Sequence, residues 1–274
     1  MATRRRSNYG INWLVGLVVA ISCPQYAHAT SVVVLRSSNL LVAAIDSLET
    51  YQVFGQGSNL QQDNICKIAR TGHFYILVSG LTRGSDGSGN SAFDVVKEIE
   101  AATGLSENMS ALGPQLWDLL SPRLRGILEA IRDKDPQSFA SQYAGAAALQ
   151  LTIVGVEANR PAAKVLEFAV DGGTAKVQLH PNVMGCAGDC PASSSGYFLG
   201  VHGAIDNFVR SETRFIAKPD THKAETLIQL SYKERPDLVG GPVSMLRVSR
   251  GGVEIVAAGA CRFQPVDSGA GRLR

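Results

Sequence analysis

From residue 31 onward, short apolar runs alternate with turn residues. Residues 31–35 and 40–45 are two β-rich runs separated by four polar residues, a spacing typical of a hairpin. Residues 65–68 and 73–78 repeat the arrangement around a turn at 70–72. The first part of the chain is therefore predicted to form antiparallel strand pairs.

Helical periodicity follows these strands and then gives way to strands again. Apolar positions recur at helical spacing over residues 92–102 and 116–131, and later over 203–215 and 224–232. Strand patterns occupy residues 148–157, with a turn at Arg160-Pro161, then 164–170 and 176–179, and a final hairpin joins 243–248 to 253–257. Because the helices follow one another in pairs, a repeated βαβ sheet is disfavoured. The order predicts an α+β fold, a four-layer αββα sandwich of two antiparallel sheets between helical layers.

The first 29 residues differ from the rest and resemble an export signal. Arg4, Arg5 and Arg6 precede a short apolar run at residues 13–21, and the sequence Ala27-His28-Ala29 fits a signal-peptidase site. The run is shorter than the roughly 20 residues of a membrane span. We expect cleavage after Ala29, which gives a signal peptide (1–29), a single domain (30–262) and a disordered tail (263–274). The alternatives are a retained membrane anchor and a lipid anchor on Cys23.

Composition and charge narrow the classes of function. The 274 residues are 45% hydrophobic and 18% charged, as in ordinary globular proteins. Residues 30–274 carry 23 basic and 24 acidic side chains, so the body is nearly neutral. This balance argues against nucleic acid as a partner. We expect an exported protein, periplasmic or secreted, with no membrane contact after cleavage.

Four cysteines remain after the expected cleavage, namely Cys66, Cys186, Cys190 and Cys261. An even number permits two disulfides in an oxidising compartment, and the Gly-rich loop around Cys186 and Cys190 favours a local bridge between these two. The sequence leaves the pairing of the four open. A single C-x3-C pattern is weak evidence for a metal. The sequence also contains no Walker loop and neither of the G-x-S-x-G and H-E-x-x-H motifs, so we expect no cofactor and no metal.

Cleavage after Ala29 would place Thr30 at the N-terminus. An N-terminal threonine carries a hydroxyl nucleophile and a free α-amine on one residue. The pKa of an unperturbed α-amine is about 7.7–8.0, which suits it as a general base near neutral pH. Thr30 is therefore the candidate nucleophile, although position alone favours an ordinary residue behind a signal peptide.

The residues that follow Thr30 resemble the opening of proteasome β-subunits, members of the N-terminal nucleophile (Ntn) hydrolases. Asp46 comes sixteen residues after Thr30, at the end of an apolar strand, which is the interval that this family uses. Lys67 lies in a Lys-Ile pair, and Ser79-Gly80 follows an apolar strand. The segments that carry the likeness are residues 30–47, 64–68, 73–80 and 233–255.

The resemblance implies a role for each matching residue. Thr30 would be the nucleophile, with its own α-amine as the base. Lys67 would assist proton movement as a buried ammonium, and Asp46 would hold Lys67 by a charge-assisted hydrogen bond. The backbone N–H of Gly80 would stabilise the oxyanion.

The sequence departs from the family in several places. Lys67 follows Thr30 by 37 residues, several more than in the family. The aspartate that usually follows the Ser-Gly pair is absent, and Val201-His202-Gly203 stands where a Ser-Gly-Ser element is expected. Ala29 replaces the glycine after which proteasome subunits cleave themselves, so signal cleavage would take over the activating step.

Two functions therefore remain. The first is an exported threonine peptidase or amidase that cleaves peptide or amide substrates through an acyl-enzyme on Thr30. The second is a non-catalytic assembly or binding module with the same fold. A homo-oligomeric ring is implied only by analogy with the family, because a shared fold does not fix assembly.

Overall fold

The computed structural model describes residues 30–52, 59–62, 64–84, 93–172, 176–186, 195–212 and 214–263. The expected signal peptide at 1–29, Cys190 and the tail from residue 264 lie outside these residues, and so do residues 85–89 of the Gly/Ser-rich turn that the sequence predicts over 84–89. No helix of the described residues is long and apolar enough to cross a membrane.

Two strand-rich blocks are each followed by helices, and a hairpin comes last. In chain order they are β1 (Ser31–Arg36), β2 (Leu41–Ile45), β3 (Glu49–Gln52), β4 (Asn59–Gln62), β5 (Ile68–Thr71), β6 (Phe74–Gly80), β7 (Arg83–Gly84), β8 (Phe93–Asp94), α1 (Val95–Ala101), α2 (Met109–Lys134), α3 (Pro136–Gln142), β9 (Ala147–Glu157), β10 (Arg160–Val170), β11 (Leu179–Cys186), β12 (Ser195–Gly200), α4 (Gly203–Ser211), α5 (Thr221–Glu234), β13 (Ser244–Ser249) and β14 (Gly252–Ala257). A single 3₁₀ turn, Phe215–Ala217, lies between α4 and α5.

Two five-stranded sheets form the centre of the molecule. The first has the strand order β12-β1-β2-β13-β14 and the second the order β11-β10-β9-β6-β5. All neighbouring strands in both sheets pair in antiparallel fashion. The predicted antiparallel sheets are therefore confirmed.

Three apolar clusters hold four layers together. Val32 and Val34 of β1 pack between the sheets against Leu77 of β6, whereas Val33 and Leu35 on the opposite face of β1 pack against α4 and α5. This division follows from the two-residue period of a strand. The outer face of the second sheet packs against α1, α2 and α3. The order helices, sheet, sheet, helices confirms the predicted αββα sandwich.

Several boundaries differ from the prediction. The helix predicted over 116–131 extends over Met109–Lys134, because the Asn108 side chain caps its N-terminus by accepting from the backbone N–H groups of Ser110 and Ala111. The turn predicted at Arg160-Pro161 lies at Ala158-Asn159, both with positive φ, so Arg160 and Pro161 belong to β10. Strand β12 has no counterpart in the prediction.

Candidate active site

Thr30, Asp46 and Lys67 lie together at one end of the sandwich. The Lys67 Nζ atom donates a hydrogen bond to Thr30 Oγ1 over 2.7 Å, and it lies 3.5 Å from Asp46 Oδ1. It also donates to the backbone carbonyl of Leu48. The three hydrogens of the ammonium thus have three acceptors, which fixes the lysine against the hydroxyl of Thr30.

Asp46 is held at the end of β2 by backbone N–H groups. Its carboxylate accepts from the N–H of Ser31 at 2.9 Å, of Gly240 at 3.1 Å and of Leu48 at 3.2 Å. The side chain is buried. A buried carboxylate needs such partners, since its desolvation is costly without them. These bonds connect the first two strands to the segment that leads into β13.

Burial shifts the pKa of both Lys67 and Asp46. Burial lowers the pKa of Lys67, and the charges of Asp46 and Glu49 act in the opposite direction. Burial likewise raises the pKa of Asp46, opposed by the charge of Lys67 and by the three backbone N–H groups. Lys67 can therefore release a proton at a lower pH than an exposed lysine does.

Residues from the second half of the chain complete the surroundings of Thr30. The backbone carbonyl of Thr30 accepts from the N–H of Val201 at 2.8 Å. The hydroxyl of Ser31 donates to Ser231 Oγ at 3.0 Å, and Ser231 Oγ donates to the carbonyl of Val201 at 2.7 Å. Ser231 is fully buried in α5. Sequence reasoning missed it, and the one available signal was a serine on the apolar face of that helix.

Gly80 ends β6 with a backbone that only glycine adopts readily. Its φ is +96°, and a Cβ atom at this position would lie 2.5 Å from the carbonyl oxygen of Ala148. Two residues earlier on the same strand, the N–H of Val78 donates to the carbonyl of Lys67 at 2.9 Å. Gly80 is therefore the last residue of β6, two positions beyond the residue that binds the Lys67 backbone. Its role at an oxyanion stays a prediction.

A second carboxylate, Glu49, lies near enough to Lys67 for its charge to act on the lysine pKa, and it was not found from the sequence. It is 5% exposed, accepts from the hydroxyl of Thr82, and forms an ion pair of 3.2 Å with Arg83. Arg83 also pairs with Asp94, the N-cap residue of α1, at 3.1 Å. This network connects the start of β3 to the first helix. Its members Thr82 and Arg83 belong to the segment after Ser79-Gly80, in which the sequence lacks the expected aspartate.

The cysteines next to the site form a bridge across the chain. Cys66 is bonded to Cys261 with an S–S distance of 2.07 Å, so the residue before Lys67 is tied to the end of the described chain. Cys186 ends β11, and its partner in the predicted local bridge, Cys190, lies outside the described residues. Within the described ranges, no group of three or more His, Cys, Asp or Glu side chains could hold a metal ion.

Comparisons with known proteins add a distant structural likeness. No family model matches the sequence, and no curated protein matches it. The chain is similar to a solved structure of an Anbu (Gly-1) mutant from Hyphomicrobium sp. strain MC1, with 17% identity and a TM-score of 0.44 over 83% of this chain and 86% of the other. This likeness is too distant to assign a family.

Proposed function

We propose that this protein is an exported N-terminal threonine hydrolase of the Ntn type that cleaves peptide or amide bonds. The observation that carries the proposal is the 2.7 Å hydrogen bond from Lys67 Nζ to Thr30 Oγ1, in surroundings closed to solvent. A buried ammonium at this distance lowers the cost of removing the hydroxyl proton, because it stabilises the developing negative charge on the oxygen. The αββα layering and the contact between Asp46 and Lys67 support the same assignment.

The reaction requires a free α-amine on Thr30. Removal of residues 1–29 as a signal peptide would supply it and would couple activation to export. Thr30 Oγ1 then attacks the substrate carbonyl while its proton passes to the α-amine. The tetrahedral oxyanion collapses, the protonated amine gives its proton to the leaving amine, and an ester on Thr30 remains. A water molecule, deprotonated by the same α-amine, hydrolyses that ester and restores the hydroxyl.

Two further residues have roles in this proposal. Gly80 offers its backbone N–H to the oxyanion, and glycine is needed there because of the positive φ and the nearby carbonyl of Ala148. Asp46 keeps Lys67 charged and directed at Thr30. Asp46 is a positioning residue, since it contacts the lysine and not the substrate.

The first experiment tests the N-terminus and the nucleophile together. The full chain is expressed with residues 1–29 in an exporting host, and the N-terminal residue of the exported protein is determined by mass spectrometry. The protein is then treated with a peptide epoxyketone, whose two electrophilic centres need a hydroxyl and an adjacent free amine. We expect a mature chain that begins at Thr30 and an adduct on that residue.

The controls isolate the two groups of Thr30. Thr30→Ala should give no adduct, and Thr30→Ser should react because it retains both groups. Thr226→Ala, on the surface of α5, should react as the wild type does. A mature chain that begins elsewhere, or an adduct that survives in Thr30→Ala, contradicts the proposal.

The non-catalytic module is the second candidate, and one observation favours it. Thr30 is only 1% exposed, as expected of a residue that never meets a substrate. That function predicts a retained N-terminal extension and no reaction with the epoxyketone in any variant.

A further inference from the structure

A cleft lined by small and polar residues opens between the two sheets. It has a volume of about 310 Å³ and lies between the turn that joins α3 to β9 and the end of β12. The side chains that line it are Ala146, Ala147, Gln150, Glu167, Ala169 and His202. Three of these six are alanines, so much of the volume is left open to a ligand. The volume is at the lower end of the roughly 300–1,000 Å³ typical of small-molecule sites.

The walls of this cleft continue into the candidate active site. Gly200, also part of the lining, is the cross-strand partner of Ser31, the residue after Thr30. The next residue, Val201, binds the carbonyl of Thr30 through its N–H. On the opposite wall, Ala147 is followed by Ala148, whose carbonyl oxygen lies against Gly80. A substrate bound at Thr30 and Gly80 would therefore extend into the cleft.

A row of polar side chains crosses the second sheet, and its two central members, Gln150 and Glu167, line the cleft. Ser79, Gln150, Glu167 and Asn182 are cross-strand partners on β6, β9, β10 and β11. Ser79 Oγ donates to Gln150 Oε1 at 3.3 Å, Gln150 Nε2 donates to Glu167 Oε1 at 2.6 Å, and Asn182 Nδ2 donates to Glu167 Oε2 at 2.8 Å. By strand alternation this row faces the other sheet, as the apolar Leu77 and Val165 do one step further along.

The row fixes Glu167 in place without neutralising it. Both of its partners are neutral amides, and a carboxylate has about four acceptor sites, of which these bonds use two. No Lys, Arg or His of the described residues forms an ion pair with Glu167. His202 also lines the cleft, but its Nδ1 atom lies 2.9 Å from Asp206. The cleft therefore presents a half-buried, oriented negative charge.

We infer that this cleft binds a positively charged group of the substrate, and that Glu167 determines this specificity. The inference rests on the proposed function, because it assigns the cleft to the substrate of Thr30. A cation would pair with a fixed carboxylate whose charge is incompletely screened by solvent. An apolar side chain in the cleft would instead cover the polar row, and the polar side chains would lose their contact with water without gaining a partner. The group is an arginine or lysine side chain, or the N-terminal ammonium of a peptide.

Cleavage of a peptide library tests the inference. The exported protein digests peptides of mixed sequence, one half with free and one half with acetylated N-termini, and mass spectrometry locates the cleavage sites. We expect a basic residue, or a free N-terminus, to be enriched at one fixed position from the cleaved bond. Substitution Glu167→Gln keeps the shape of the side chain and should reduce this preference about tenfold.

The control and the library arms separate the outcomes. Glu157→Gln, at the far end of β9, removes the same charge from the same sheet and should leave the preference unchanged. An enrichment that depends on the free N-terminus identifies the ammonium, and one that survives acetylation identifies the side chain. No basic enrichment, or equal enrichment in Glu167→Gln, overturns the inference. If the wild type cleaves no peptide and forms no epoxyketone adduct on Thr30, the proposed function fails, and the binding measurement below then decides the inference.

A binding measurement decides the inference without cleavage. Two cations, N-acetyl-arginine amide and alanyl-alanine amide with a free ammonium, are titrated into the wild type and into Glu167→Gln, with NMR shifts as the readout. Their neutral counterparts are N-acetyl-citrulline amide and N-acetyl-alanyl-alanine amide. We expect saturable shifts with at least one cation, and in the wild type alone. Equal shifts with a cation and its neutral counterpart, or no shifts with either cation, overturn the inference.

Discussion

Burial and the neighbouring charges act in opposite directions on the pKa of Lys67. Its amino group is buried, yet all three of its hydrogens have acceptors, in Thr30, Leu48 and Asp46. Desolvation favours the neutral amine, and the neighbouring carboxylates favour the ammonium. A lysine balanced in this way can hold a proton near the hydroxyl of Thr30 and also release it. An arginine could do only the first, because it stays protonated.

We therefore expect Lys67→Arg to lose reactivity at Thr30. The rate of epoxyketone modification should fall roughly 100-fold, the lower range for loss of a proton-transfer group. Burial lowers the pKa of Lys67, so its proton is lost at a lower pH than that of an exposed lysine. The wild-type rate should accordingly rise as the α-amine of Thr30 loses its proton and fall again below pH 10.5, the ordinary lysine pKa, as Lys67 loses its charge. The variant stays charged and should lack that fall.

The measurement is a pH series of modification rates followed by mass spectrometry. Lys97→Arg is the matched control, since the Lys97 side chain is 80% exposed on α1. If Lys67→Arg keeps the wild-type rate and pH profile, Lys67 takes no part in proton transfer.

At the scale of elements, β9 packs in different ways along its length and on its two faces. Leu151 and Ile153 pack against the helices on one face. On the other face, Val154 belongs to the apolar core between the sheets, whereas Gln150 belongs to the polar row of the cleft. Thr152 lies between them, fully buried, and its hydroxyl has no hydrogen-bond partner among the described residues.

We expect Thr152→Val to raise the free energy of unfolding by about 1 kcal/mol. Valine has nearly the same shape and removes a buried hydroxyl that has lost its water without gaining a partner. Its cross-strand neighbours, Leu77 and Val165, are apolar and accommodate the added methyl group. Urea unfolding measures the difference, and Thr152→Ser should instead destabilise the protein because it keeps the hydroxyl and loses a methyl group. A lower stability for the valine variant than for the wild type would show that the hydroxyl is satisfied.

Most elements are predictable from periodicity, and the exceptions have physical reasons. The hairpin of β1 and β2 and the apolar stripe of α2 each repeat one period long enough to be recognised. Strand β12 is missed because it is a short edge strand, next to a stretch rich in Gly and Ser. The turn between β9 and β10 is missed because Ala158 carries no turn preference, although it adopts a positive φ beside Asn159.

Some residues of the candidate site can likewise be predicted from the sequence, and others cannot. Thr30, Asp46 and Lys67 can be named from spacing and from a family resemblance, and the structure brings these three side chains together. Ser231 and Glu49 could not be named, because their relation to Thr30 and Lys67 exists only in space. A single sequence contains no signal for contacts between residues that are far apart along the chain.

At the scale of the whole molecule, the Cys66–Cys261 bridge links positions 195 residues apart. A bridge that closes so long a loop removes much of the conformational entropy of the unfolded chain. We expect the double substitution Cys66→Ser and Cys261→Ser to lower the free energy of unfolding by about 3–5 kcal/mol. Urea unfolding of the exported protein, with and without a thiol reductant, measures the effect.

The reductant provides the internal control for this prediction. It should lower the stability of the wild type toward that of the double variant, and it should leave the double variant unchanged. If the oxidised wild type and the double variant unfold at the same urea concentration, the bridge contributes nothing to stability. Because Cys66 adjoins Lys67, the same samples should be tested for epoxyketone modification.

The contacts around Thr30 also have a consequence for the timing of biosynthesis. Asp46 needs the N–H of Gly240, 194 residues later, and Ser31 needs the hydroxyl of Ser231, 200 residues later. A ribosome that has released only the first two thirds of the chain has therefore made Thr30, Asp46 and Lys67, but not the residues that hold Ser31 and Asp46 in place. If the proposed function is correct, the site cannot be complete until nearly the last strand emerges, which would protect the producing cell during synthesis.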